Sequence, residues 1–314
     1  MSGAIVYNAE PFGYSEKAVQ TWAKKGFGYV EGSWDGIKET LSFPKVKGLI
    51  VRLKEYVNSD IINRFPNLKF VVSATTGHDH LDIKYLQEKG IILYSLRPHK
   101  EFLDTIPSTA EHTWALLMAL LRNVPQANED VKQGQWRRDL FRGNQLKGKV
   151  LGIVGLGRTG SKVAHYASAF NMQVIYFDPY KESEEIERCT QLSQLLLKSD
   201  VISLHVHLTE ETESLIDINR LKEIKKGAYL INTSRGKVCD ENALVMGLEN
   251  GVLAGVASDV LSTELDELQS SPLWKAQKAG QRVIISPHIG GATWEAMWEC
   301  EEFIVDTVEI FSYE

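Results

Sequence analysis

The chain has 314 residues, 43% hydrophobic and 24% charged, with 35 basic against 41 acidic side chains and a formal net charge of −6. That length suggests about two domains, and the composition can bury a real core, which excludes a disordered, collagen-like or coiled-coil chain. The mild acidity, without a basic block, argues against nucleic acid or an anionic membrane as the main partner.

In chain order, Met1–Val6 lacks a basic region followed by a long apolar run, and no 18-residue window is apolar without charge. Neither secretion nor a membrane span is expected. Short apolar runs then alternate with amphipathic stretches, the pattern of a parallel α/β fold. The first series is Ala4–Tyr7, Gly48–Val51, Phe70–Val72 and Ile91–Tyr94, with a helical segment Ser59–Phe65 stopped by Pro66-Asn67. Ser108 and Glu111 have capping-box spacing before the apolar run Trp114–Leu121, so a helix should start there. The second series has six runs, Val150–Val154, Val174–Phe177, Val201–Leu204, Ala228–Ile231, Gly255–Ala257 and Val283–Ile285. Six strands with crossovers make a complete dinucleotide-binding sheet. A last helical pattern, from about Thr293 to Phe311, carries Trp294, Met297, Trp298, Ile304, Val305 and Val308 on a broad apolar face. It is expected to return to the first domain, giving a discontinuous domain 1–100 plus 293–314 around a second domain 101–292. Cys189, Cys239 and Cys300 are far apart, lack metal spacing and read as reduced thiols of a cytoplasmic protein.

Gly155-Leu156-Gly157-Arg158-Thr159-Gly160 follows the strand Val150–Val154 and opens a helical pattern, Ser161–Phe170. The first glycine makes a tight turn, the second lets backbone approach a pyrophosphate, and the third lets helix and strand pack closely. The helix N-terminus presents free N–H groups and a positive dipole to the phosphates. Asp178, at the end of the next strand, can accept hydrogen bonds from the adenosine ribose hydroxyls. It would repel the 2′-phosphate of NADP, and Lys181 is the nearest cation in sequence, so NAD is the expected cofactor.

Three further segments end strands of the second series: Asn232–Gly236, Asp259–Glu264 and Ser286–Thr293. In open sheets, ligands bind beyond the carboxyl ends of the strands. These segments resemble signatures of the D-isomer-specific 2-hydroxyacid dehydrogenase family. So do Ser108–His112, the glycine turn and Leu204-His205-Val206-His207-Leu208-Thr209. The likeness runs from about Gly48 to Thr293. It implies a Rossmann NAD-binding domain, a flavodoxin-like substrate domain, and a catalytic set of Arg235, Glu264 and His288. His288 would exchange a proton with the substrate oxygen. Glu264 on the other ring nitrogen would fix the tautomer and favour the imidazolium. Arg235 would hold the substrate carboxylate through its planar fork of donors. The resemblance extends the cofactor site to Arg158, Thr159, Thr212, Thr233, Asp259, Gly290 and Gly291, with Thr76, Arg235 and His288 also touching the cofactor. Three positions depart from the family pattern: Leu265 follows Glu264 where Pro is usual, His207 replaces the Pro of a strand-end His-x-Pro, and Leu261 replaces a common aromatic.

On the substrate side, Val51-Arg52-Leu53 resembles a segment whose Arg contacts substrate. Ala74–His80 resembles a loop whose backbone N–H groups receive the substrate carboxylate, with Thr76 and Gly77 the best candidates. His78 and His80 lack a third ligand and read as loop residues, with no metal. Trp136-Arg137-Arg138, with Arg142, forms a cationic run that could bind a second anionic group such as a phosphate, Arg138 being the residue chosen. The resemblance implies an NAD-dependent reductase of 2-oxo acids, of the phosphoglycerate dehydrogenase type without the C-terminal regulatory domain. The presence of Glu264 argues against a formate dehydrogenase, and Thr76 argues against a phosphite dehydrogenase. An NADH-sensing corepressor with little turnover is the alternative. The helix Ala110–Leu121, with Trp114, Leu116, Leu117 and Leu120, offers surplus apolar surface, so a homodimer through this region is expected.

Overall fold

A computed structural model describes residues 3–264 and 267–309. The chain divides into two compact units, Met1–Ile106 with Ala292–Glu314, and Pro107–Gly291.

The first unit is built on five parallel strands: β1 (Ile5–Asn8), β2 (Gly28–Glu31), β3 (Val46–Val51), β4 (Phe70–Ser73) and β5 (Ile92–Ser95). Their order is β2-β1-β3-β4-β5, the flavodoxin-like arrangement. β3 and β4 are buried almost throughout, which explains their unbroken apolar sequences. β2 is an edge strand of sequence GYVE, mostly exposed, and the apolar pattern does not announce it. Helices cover both faces. On one, Val6, Trp22, Phe70, Ile304 and Val305 form a core. On the other, Tyr7, Trp34, Leu49, Val51, Phe65 and Leu86 do so.

The helix Trp294–Thr307 belongs to the first of these faces. Thr293 caps it, its Oγ1 accepting from Ala296 N at 3.1 Å. Its buried side is Ala296, Cys300, Glu301, Ile304 and Val305. Trp294 and Trp298 are not part of that side, as the pattern suggested, but are 54% and 42% exposed. A tryptophan at i, i+4 marks a stripe without saying which stripe faces inward. Phe311, included in the sequence pattern, lies outside the described residues.

The second unit has seven parallel strands: β6 (Val150–Val154), β7 (Gln173–Phe177), β8 (Glu187–Arg188), β9 (Val201–Leu204), β10 (Ala228–Asn232), β11 (Leu253–Ser258) and β12 (Val283–Ile285). Six match the expected runs, and the two-residue β8 is an addition. The order β12-β11-β10-β9-β6-β7-β8 reverses at β6. Val154 lies level with Phe177 of β7 on one side and Leu204 of β9 on the other. This is the switch point beyond which such sheets bind ligands.

The helix Ser108–Leu121 starts without the expected capping box. Pro107 is the N-cap and its carbonyl accepts from Ala110 N and Glu111 N, so Ser108 is already helical. Proline suits this place, since its φ is preset and its missing N–H would be unpaired anyway. Ser108 Oγ is buried and makes no hydrogen bond among the described residues. Trp114, Leu116, Leu117 and Leu120 are spent inside the unit, against Leu151, Ile153 and Val163, at about 1.5–3 kcal/mol per buried side chain. Trp114 also stacks on Phe170, with centroids 4.6 Å apart. The surplus apolar surface expected here for a dimer contact is therefore buried within the unit. Among the described residues no helix is long and apolar enough to cross a membrane.

Candidate active site

The glycine turn sits at the end of β6. Gly155 has φ +91°, and a Cβ there would come within 2.6 Å of the His205 carbonyl oxygen, so only glycine fits. A Cβ at Gly160 would lie 2.1 Å from the Gly155 carbonyl oxygen, which brings the helix Arg158–Ala167 tightly onto the turn. Gly157 caps that helix without a side chain, and nothing lies within 4 Å of where its Cβ would be. The space beside Gly157 is thus open, which fits the close approach of a pyrophosphate to the start of the helix. Arg158 and Thr159 begin the same helix.

Asp178 ties the turn to β7. Its Oδ2 accepts from Leu156 N at 2.8 Å, and its Oδ1 from Tyr180 N and Lys181 N. The nearest cation is not Lys181 alone. Arg188 of β8 donates to the Asp178 carbonyl at 3.0 Å, and pairs with Glu182 at 2.6 Å.

Beyond β11 and β12 the chain is organised by Asp259, which is 2% exposed. Its Oδ1 accepts from Ser286 Oγ at 2.5 Å, Ile289 N at 2.9 Å and His112 Nε2 at 3.1 Å, and its Oδ2 from Gly290 N at 2.7 Å. Burial pushes this carboxyl up, but the hydrogen bonds outweigh it and hold the group below its ordinary value. His288 N donates to the Asp259 carbonyl at 2.8 Å. So anchored, His288 adopts φ +54°, the left-handed region rare for a side-chain-bearing residue. Asp259 was expected at the cofactor. Here its carboxylate shapes the turn that carries His288, Gly290 and Gly291. His112 and Ser286 are members of this network that the sequence pattern left without a role.

His288 Nδ1 lies 2.5 Å from Glu264 Oε2, leaving Nε2 as the ring's other polar atom. Glu264 is fixed in turn, its Oε1 accepting from Leu261 N at 3.0 Å. A second buried acid holds the segment. Glu241 accepts from Ser262 N and Ser262 Oγ at 2.8 Å, and from Ser271 Oγ at 2.5 Å. Leu265 lies outside the described residues. Arg235 follows β10, in a loop shaped by Asn232, which donates to the Arg235 carbonyl at 2.9 Å. A Cβ on Gly236 would fall 1.9 Å from the Leu261 carbonyl carbon, so the Arg235 and Glu264 loops touch through their backbones. The second unit thus gathers Arg235, Glu264 and His288 on adjoining loops at one end of one sheet. Thr233 is buried, its Oγ1 2.8 Å from Thr113 Oγ1. Thr212 Oγ1 donates to the His207 carbonyl at 2.5 Å.

In the first unit, Arg52 departs from expectation. Its guanidinium pairs with Glu301 of the last helix and donates to the Phe12 carbonyl at 2.8 Å. Glu301 is 2% exposed and also accepts from Ser15 N at 2.8 Å. Burial raises its carboxyl, against the pull of Arg52. Thr76 and Gly77 lie half-buried in the loop after β4, where Thr75 Oγ1 donates to the Gly77 carbonyl at 2.9 Å. His78 and His80 turn apart, His78 to Ser95 Oγ at 2.8 Å and His80 to Ser73 Oγ at 3.1 Å.

The cationic run is largely neutralised. Arg137 Nε donates to the buried Asp130 at 2.9 Å, and Arg142 pairs with Asp139 at 2.8 Å. Arg138 is exposed, and no ion pair joins it to another described residue.

Comparison with known proteins gives this geometry its family. Residues 114–290 match the model of the D-isomer specific 2-hydroxyacid dehydrogenase, NAD binding domain. The chain belongs to the D-isomer specific 2-hydroxyacid dehydrogenase family. It is 40% identical over 255 residues to D-3-phosphoglycerate dehydrogenase of Bacillus subtilis, covering 79% of this chain and 46% of that one. It is 37% identical over 258 residues to glyoxylate reductase of Thermofilum pendens, covering 79% and 73%. The structure resembles D-lactate dehydrogenase of Aquifex aeolicus, solved with NAD and lactic acid, at TM-score 0.74 and 28% identity over 96% and 93% of the two chains. The chain spans about half the length of the phosphoglycerate dehydrogenases it matches. Membership makes NAD the cofactor of the second unit, and the open face of Gly157 and the position of Asp178 suit it.

Proposed function

We propose that this family member transfers a hydride between nicotinamide and a 2-oxo acid or D-2-hydroxy acid. The carrying observation is the 2.5 Å contact of His288 Nδ1 with Glu264, on a turn held by Asp259. Bound NAD supplies the hydride acceptor or donor. Glu264 accepts the Nδ1 proton in a hydrogen bond and orients the ring, so that Nε2 gives a proton to the carbonyl oxygen, or takes it in the reverse direction. Arg235, whose Nη1 donates to the Ser234 carbonyl at 2.7 Å, is the guanidinium that pairs with the substrate carboxylate. Thr76 and Gly77, in the loop after β4, are the residues of the first unit proposed to bind substrate through their backbone N–H groups. Arg138 is the cation proposed for a second anionic group, since Arg137 and Arg142 are already paired. Both phosphohydroxypyruvate-like and glyoxylate-like substrates fall within this reading, after the names of the relatives.

The test is NADH oxidation across a panel of 2-oxo acids. Turnover of one substrate well above the rest is the expected result. Uniformly feeble rates with NADH still bound would replace the enzyme by an NADH-binding sensor. If Arg138 reads a phosphate, Arg138→Ala raises KM for the best phosphorylated substrate.

We also propose a homodimer, through a different surface from the one first expected. Val124, Val131, Trp136 and Leu140 are 50–85% exposed on the helix Val124–Lys132, the segment that follows it and the turn Arg138–Phe141. Trp136→Ser with Leu140→Ser should convert a species of twice 35.3 kDa into one of 35.3 kDa in gel filtration.

A further inference from the structure

Two loops flank the carboxyl end of β6: one after β7, from Asp178 to Lys181, and one after β9, from His205 to Thr212. Both touch the glycine turn, through Leu156 N on Asp178 and through the close approach of Gly155 to the His205 carbonyl. They also meet each other, because Tyr180 Oη donates to Glu211 Oε2 at 2.9 Å. These three contacts close a ring of chain around the end of β6, beside the carboxylate suited to the adenosine ribose.

Both ends of this strap are fixed. Tyr180 N donates to Asp178 Oδ1 at 2.8 Å. On the other side, Thr212 Oγ1 accepts from Thr209 N at 2.8 Å and donates to the His207 carbonyl, making a tight turn next to Glu211. The Tyr180 ring is 82% exposed, so the carboxylate rather than burial holds it. The hydrogen bond to Glu211, then its charge, raises the phenol, and the charge of Asp178 adds to this. The phenol therefore stands near two carboxylates. Arg188, the cation beside Asp178, is paired with Glu182.

We infer that Glu211, held in place by Tyr180, is a second determinant of NAD over NADP alongside Asp178. A 2′-phosphate on a ribose bound at Asp178 would enter the field of both acids, which Tyr180 links, and like charges repel. The inference rests on the cofactor assignment of the second unit and adds to it a residue from the β9 loop.

Fluorescence titration of NADH and NADPH into the wild type, Glu211→Gln and Tyr180→Phe measures it without turnover. Glu211→Gln should lower the ratio of the NADPH Kd to the NADH Kd by about 3- to 6-fold. Tyr180→Phe, which leaves the acid but frees it, should lower the ratio by less. The difference between wild type and Glu211→Gln should shrink as salt is raised. Both side chains lie on the surface, and circular dichroism checks that the variants fold. An unchanged ratio in Glu211→Gln, with NADH still bound, overturns the inference and leaves the cofactor assignment standing. A wild type that binds neither dinucleotide overturns both.

Discussion

At the end of β3 in the first unit, an arginine that sequence places at a substrate is half-buried, paired with the buried Glu301 and donating to a backbone carbonyl. At the ends of β10, β11 and β12 in the second unit, the charges are divided differently. Asp259 and Glu241 are buried and hold backbone, while Glu264 and His288 are about one-quarter exposed and face each other. The contrast shows that a charged residue at a strand end is not thereby a reacting group. In the second unit, buried acids hold backbone, and the Glu264–His288 pair proposed for the chemistry stays partly exposed. In the first, a single arginine carries the structural duty itself.

The strongest way to break this contrast is at His288. His288→Ala should lower kcat by about 10²–10⁴-fold on the best 2-oxo acid, with NADH still bound in a titration. A loss smaller than tenfold would remove His288 from the chemistry. Next comes Arg52. Removing one partner of a largely buried ion pair leaves the other charge stranded, so Arg52→Ala should cost about 3 kcal/mol, read as a lower urea midpoint. A raised KM with an unchanged midpoint would return Arg52 to the substrate.

Asp259 gives a smaller effect with a definite sign. Its carboxyl is held below its ordinary value in the folded chain. Its ionised form therefore supports folding above the ordinary carboxylate range, and this support is lost as pH falls through the depressed value. Asp259→Asn should lower stability near neutral pH by about 1–3 kcal/mol and flatten the acid limb of the urea midpoint against pH. An unchanged acid limb would mean that Asp259 does not organise the turn.

Much of the parallel architecture was legible because buried parallel strands are written as apolar runs, as in VLGIV of β6 or FVVS of β4. β2 and β8 were not, since an exposed edge and a two-residue pairing need no apolar pattern. The glycine turn was readable down to its individual residues, since Gly155 and Gly160 answer to close local contacts and Gly157 leaves open space beside the helix start. The tasks of Arg52, Asp259 and Arg188 depend on partners 249, 147 and 6 residues away, Glu301, His112 and Glu182. The first two are set by tertiary placement alone. Arg188 was hidden by the short strand that brings it to Asp178. The same limit misled the reading of Trp114 and its neighbouring leucines, which looked like surplus surface and prove to be core.

His288 occupies a left-handed conformation at φ +54° that glycine adopts without steric penalty. Replacing it with glycine would delete the ring while relieving the main chain, so the hole should form without dragging the turn along. Imidazole added to the solution could then enter that hole and take over the missing proton transfer. Such chemical rescue, graded by the basicity of substituted imidazoles, would report the bond changes to the proton directly.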